Sequence, residues 1–209
     1  MSQDGSLPEQ RVQDLGTFLG VLLLAFYLPV LLILLGVIPF VYRYAVLLSV
    51  AGGLAVYAWR AGYTLRDLGF RRDTLPGSLA INAGLALAFT ALMALAYTQG
   101  LIRDATVPAW RGFFLVYVLA VCPAQEFSCR SFLFAAMNRH GLTFAPLQVG
   151  LAAVTYAFLH AIYWDALTMI VTLVMGVIWG IVYRAQPNFF GVSLSHAVLG
   201  VASILMGVV

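Results

Sequence analysis

The chain has 209 residues, of which 63% are hydrophobic and only 9% charged, where soluble domains run near one half and one quarter. A soluble globule of this size has too little interior to hide so many apolar side chains. With a mean hydropathy of +0.97, the composition is that of an integral membrane protein, read as a single helical domain over 1–209. The formal charge of +3 comes from eleven arginines and no lysine, with only Arg71 and Arg72 adjacent. That scatter excludes the clustered basic face that nucleic acid needs.

The first fifteen residues are polar, carrying Asp4, Glu9 and Asp14 against Arg11. The apolar run from Leu15 to Val41 follows and reads as an uncleaved first span, kinked at Pro29. A short second span, Ala45 to Trp59, lies between Arg43 and Arg60, whose side chains would have to snorkel. The polar segment from Arg60 to Pro76 places Leu65, Leu68, Phe70 and Leu75 among arginines, as a segment lying on the membrane surface would.

The third span, Ser78 to Tyr97, carries a small-residue ridge of Ala80, Gly84 and Ala88. The fourth runs from Phe113 to Asn138 and contains Pro123, Gln125, Glu126, Ser128 and Arg130. Cys122 and Cys129 on it would lie about 10.5 Å apart along a helix, too far for a disulfide, and read as packing residues. The fifth span ends near Tyr163 and holds His160. The sixth, Leu167 to Tyr183, offers Gly176 and Gly180 as a packing face. The seventh begins near Asn188 and holds His196.

Seven alternating spans sort the arginines by side. Arg11, Arg60, Arg66, Arg71, Arg72, Arg139 and Arg184 fall on one side, and Arg43, Arg103 and Arg111 on the other. The positive-inside rule then puts the N-terminus in the cytoplasm and the C-terminus outside, in the cytoplasmic (inner) membrane of a bacterium. The expected architecture is an all-α polytopic bundle of about seven spans.

A buried glutamate, an arginine and two histidines are costly in a membrane and mark function. Glu126 and Arg130 are four residues apart on one helix face and can pair. Counted from the arginine-rich ends of their helices at about 1.5 Å per residue, Arg130 lies about 12 Å in, Glu126 18, His160 20 and His196 12. Three spans therefore aim their strongly polar groups at one overlapping level, taken as nearer the cytoplasm: a water-accessible site inside the membrane. A haem held by the two histidines is disfavoured, since Glu126 and Arg130 would have no role beside it.

These residues also resemble the motifs of the membrane-embedded CAAX-processing and bacteriocin-processing (CPBP, or Abi) endopeptidases. Gln125-Glu126-Phe127-Ser128-Cys129-Arg130 is similar to Glu-Glu-x-x-x-Arg, Tyr156-Ala157-Phe158-Leu159-His160 to Phe-x-x-x-His, and His196-Ala197-Val198-Leu199-Gly200 to His-x-x-x-Asn. The resemblance covers about 113–200. It implies an intramembrane endopeptidase in which the first glutamate and the second-motif histidine activate a water, while the third-motif histidine and asparagine stabilise the oxyanion. Its substrate would be a membrane-associated peptide or protein, and no nucleotide or redox cofactor is implied.

Two positions depart from that pattern: Gln125 stands for the first glutamate and Gly200 for the asparagine. Glutamine cannot take a proton, so the expectation is that Glu126 with His160 activates the water. Arg130 would then fix Glu126, and His196 and Gln125 would stabilise the tetrahedral intermediate. His160, His196 and Glu126 also make up a His₂Glu set of the zinc-binding kind, so the residues alone leave a divalent metal open. The departures feed an alternative, a non-catalytic immunity or scaffold protein on the same fold. A small transporter is a weaker one.

Overall fold

The structure, a computed structural model, describes residues 8–105, 107–110 and 112–208, with side chains from Leu15 onward. The acidic start, Arg11 and Arg111 therefore lie outside the described side chains. The described residues are helical without strands. Six helices are long and apolar enough to span: α1 (Leu15–Leu34), α2 (Phe40–Arg60), α3 (Leu75–Thr98), α4 (Phe113–Arg139), α5 (Ala145–Tyr163) and α6 (Ala166–Ala185). A shorter apolar helix, α7 (Phe189–Leu205), completes the bundle. The chain is a multi-pass membrane protein.

Pro29 and Pro123 lack an amide donor and crowd the turn before them. α1 accommodates this with a π-helical turn at Leu23–Tyr27, and α4 with one at Tyr117–Val121. A second π turn in α4, Phe127–Phe132, follows Glu126. Such turns change the rotational phase of a helix, and they gather at functional sites.

Two boundaries differ from the sequence reading. The first span ends at Leu34, because Gly36 takes a left-handed conformation (φ +73°) that stops the helix. The second is longer than Ala45–Trp59: it starts at Phe40, and Arg43 lies within it with its guanidinium over the Phe40 and Tyr44 rings.

The packing face of α3 is also not Ala80, Gly84 and Ala88, all of which are exposed. The buried stripe is Ser78, Asn82 and Ala86, facing α7. Asn82 donates to the Ser78 carbonyl at 2.9 Å and accepts from the Ser195 hydroxyl at 2.7 Å. Satisfying an amide away from water outranks close approach of small residues here. The expected Gly176–Gly180 face is used: a Cβ at Gly176 would stand 2.8 Å from the Ala153 Cα, and one at Gly180 3.3 Å from Val149.

The polar segment after α2 is irregular and folds onto the bundle instead of lying flat. Leu68 is buried, Phe70 packs on Phe189 and Phe190, and Leu65 alone points fully outward. The Gly69 carbonyl accepts from the Phe189 amide at 2.9 Å, and the Asn188 side chain donates to the Arg71 carbonyl at 2.6 Å. Beside it, the Arg71 guanidinium draws the Asp73 carboxyl down to about 2.

The opposite end is closed by a clasp. Arg103 pairs with Asp165 through two hydrogen bonds (2.8 and 3.2 Å) and donates to the Gly207 carbonyl, joining the α3–α4 link, the α5–α6 turn and the C-terminal end. Asp165 also caps α6, accepting from the Thr168 amide at 3.0 Å. Arg103 and Thr168 hold its carboxyl well below the usual carboxylate range. Arg66, Arg71, Arg72, Arg139 and Arg184 thus share one end of the bundle, and Arg43 and Arg103 the other.

Candidate active site

Glu126, at the middle of α4, is 0% exposed, as is Arg130. One carboxylate oxygen, Oε1, serves both neighbours: it lies 3.2 Å from Arg130 Nη1 and accepts from His196 Nδ1 at 2.6 Å. Oε2 has no hydrogen-bond partner among the described residues. The guanidinium is sandwiched over the Tyr156 ring (4.2 Å) and the Trp179 ring (5.3 Å). In a desolvated place each such contact is worth up to about 2 kcal/mol. The imidazole of His196 stacks on the other reach of Trp179 at 4.9 Å.

Both histidines are fixed as to tautomer by what their Nδ1 atoms meet. His160 Nδ1 lies 2.9 Å from the Tyr156 carbonyl, which can only accept, so that nitrogen carries the proton. His196 Nδ1 faces a carboxylate and does the same. In its neutral form each ring then has its lone pair on Nε2. The Tyr156 hydroxyl, 3.3 Å from His196 Nε2, donates to it in that form.

A cavity of about 270 Å³ between α3, α4, α5, α6 and α7 is lined by Tyr117, Tyr156, His160, Trp179, His196 and Gly200. A second, of about 450 Å³, shares Tyr117 and His160 with the first and continues past Gln125 to Arg43, Arg103 and Asp165. Gln125 is half-buried, has no hydrogen bond among the described residues and lines this second chamber.

Of the five residues singled out in the sequence, His160, His196 and Gln125 line the cavities, while Glu126 and Arg130 stand behind His196. Direct contact between the Glu126 carboxylate and a cavity water is thus not what the structure has: a water-sized probe cannot touch it. The level of the site also differs from the expectation. His160 ends the regular part of α5, where Ala161–Tyr163 tightens into a 3₁₀ turn. The second cavity reaches the clasp end, away from the arginine-rich end.

The His₂Glu metal set does not fit this arrangement. Glu126 Oε1 is taken by a protonated His196 nitrogen, and among the described residues no three His, Cys, Asp or Glu side chains come together as ligands would. Tyr117 and Trp179 were not singled out from the sequence, and Tyr156 entered only as the first residue of the second motif. Tyr156 lies four residues before His160, one helical turn away, and that spacing was the available signal.

Residues 107–202 match the family model for Rce1-like proteins, type II CAAX prenyl endopeptidases. Over that segment the chain is similar to the Rce1-like family. It is the endopeptidase family the three motifs resemble, and the match supports an intramembrane protease acting on a peptide or protein substrate in a membrane. The Rce1-like segment takes in α4 to α7, which supply all five candidate residues. No curated protein and no solved structure matches the chain.

Proposed function

We propose that this intramembrane endopeptidase hydrolyses peptide bonds with a water held between the Nε2 atoms of His160 and His196. What supports the reading is that two imidazole rings line one cavity, one of them bonded through Nδ1 to a buried carboxylate. His196 Nε2 takes the water proton, and Glu126, bonded to Nδ1, steadies the imidazolium that forms. Arg130, 3.2 Å from the same carboxylate oxygen, orients Glu126. Glu126 therefore acts on the water through His196, and His160 orients the water from the other side.

Gln125 is assigned as a neutral group that positions water or donates to the developing oxyanion. Gln125→Ala should slow turnover by about 3 kcal/mol of transition-state stabilisation. Gln125→Glu sets a second carboxylate on the chamber wall and should keep or raise activity with a shifted pH optimum, because neighbouring carboxylates share a proton. Both are measured as pH–rate profiles on purified protein in liposomes, with a membrane peptide that accumulates when the protein is deleted. Unchanged turnover in Gln125→Ala would remove Gln125 from the site. A wild type that binds such a peptide without ever cutting it would favour the scaffold reading.

For orientation, we propose the arginine-rich end as cytoplasmic. A C-terminal reporter that works only in the cytoplasm should be silent, and a strong signal would reverse the assignment.

A further inference from the structure

We propose that the Tyr117 hydroxyl is the oxyanion donor of this site and that residue 200 is glycine in order to admit it; the inference rests on the endopeptidase reading above. Tyr117 opens the first π turn of α4. Its ring is held by stacking on Phe113 (5.7 Å between centroids, 17° between planes) and stands edge-on to His196 at 6.4 Å. It lines both chambers, as His160 does.

The end of the phenol fills the space where a side chain at position 200 would begin. A Cβ built on Gly200 would overlap the Tyr117 hydroxyl and come within 2.8 Å of Cε1 and Cζ. Glycine within a helix is unfavourable relative to alanine, so α7 gives up helix stability at this point. What occupies the vacated space is an O–H group on the wall that also carries His196. Its hydrogen-bond neighbour is the Cys122 thiol, a weak partner that a stronger acceptor such as an oxyanion displaces. The third motif's last position, which offers an amide donor in the resembled pattern, offers none here, and the hydroxyl stands against that same backbone position.

The step it serves balances as follows. The water oxygen bonds to the peptide carbonyl carbon, the carbonyl π pair moves onto its oxygen, and the water proton passes to His196 Nε2. The Tyr117 O–H donates to the new oxyanion. Collapse reforms the carbonyl, breaks the C–N bond and returns the proton from His196 to the departing amine.

The test is Tyr117→Phe in the full chain, reconstituted in liposomes with a cleaved membrane peptide. The ring, its stacking and Gly200 are kept, so the thermal midpoint should not move. The expected result is a fall in kcat of about a hundredfold with KM unchanged. Affinity for a peptide aldehyde, which forms a tetrahedral adduct, should fall by a similar factor, while affinity for the uncut peptide holds. Tyr117→Ala should lose as much, and Tyr117→Ala with Gly200→Asn should recover part of it by supplying an amide from α7. Unchanged kcat in Tyr117→Phe while the wild type cleaves overturns this inference alone, and so does a change confined to KM. A wild type that never cleaves overturns the endopeptidase reading and this inference with it.

Discussion

Glu126→Gln is expected to end cleavage and to destabilise the bundle in the same stroke. The substitution leaves the Arg130 guanidinium, 0% exposed, without its counter-charge, and breaking a buried pair from one side costs about 3–5 kcal/mol. It also takes from His196 the carboxylate that its Nδ1 proton meets at 2.6 Å. The two losses separate in the double variant Glu126→Gln, Arg130→Met, which removes both charges and keeps the volume. Most of the stability should return, since replacing both partners of a buried pair is far milder than removing one, while cleavage stays lost. Thermal unfolding in detergent reads the first and peptide cleavage the second. Full turnover and an unchanged midpoint in Glu126→Gln would show that the carboxylate serves neither purpose.

Replacing either histidine should be nearly as severe for the chemistry. His160→Gln and His196→Gln each remove an Nε2 lone pair from the cavity wall and should lower kcat by about 10²–10⁴. The double variant should be little worse than the weaker single one, because groups that act on one water fail together. Single-turnover cleavage of a bound peptide measures this. Additive losses in log kcat would mean that the two rings act at different steps.

The span count and the pairing of Glu126 with Arg130 were legible from composition and four-residue spacing. So was the convergence of His160 and His196, from motifs on the fourth, fifth and seventh spans. The packing face of α3 was not. That helix is apolar all round, so small residues suggested one stripe, while the structure is governed by a single amide, Asn82, that needed Ser195. The sealing of Glu126 was also out of reach. Adjacent residues on a regular helix differ by about 100°, but α4 carries a π turn on each side of the Cys122–Glu126 stretch. Which of Gln125 and Glu126 faces the cavity depends on that phase. Tyr117 was hidden for a different reason: its partner is an absence of side chain at Gly200, and a missing atom leaves no pattern to count.

The two chambers that meet at His160 and Tyr117 differ in what surrounds them. The inner one has Ile170 and Val174 on its rim, 60% and 49% exposed on the lipid-facing side of α6. The outer one leads past Gln125 to the charged clasp of Arg103 and Asp165. On the proposed endopeptidase reading the reactants would have separate doors: a peptide would slide in sideways from the acyl chains, while water would descend from the headgroup level. A helical peptide arriving by the lipid door still has its carbonyls tied up internally. It must unwind locally before the water can strike, so segments weakened by glycine or proline should be cut in preference to uninterrupted runs of leucine.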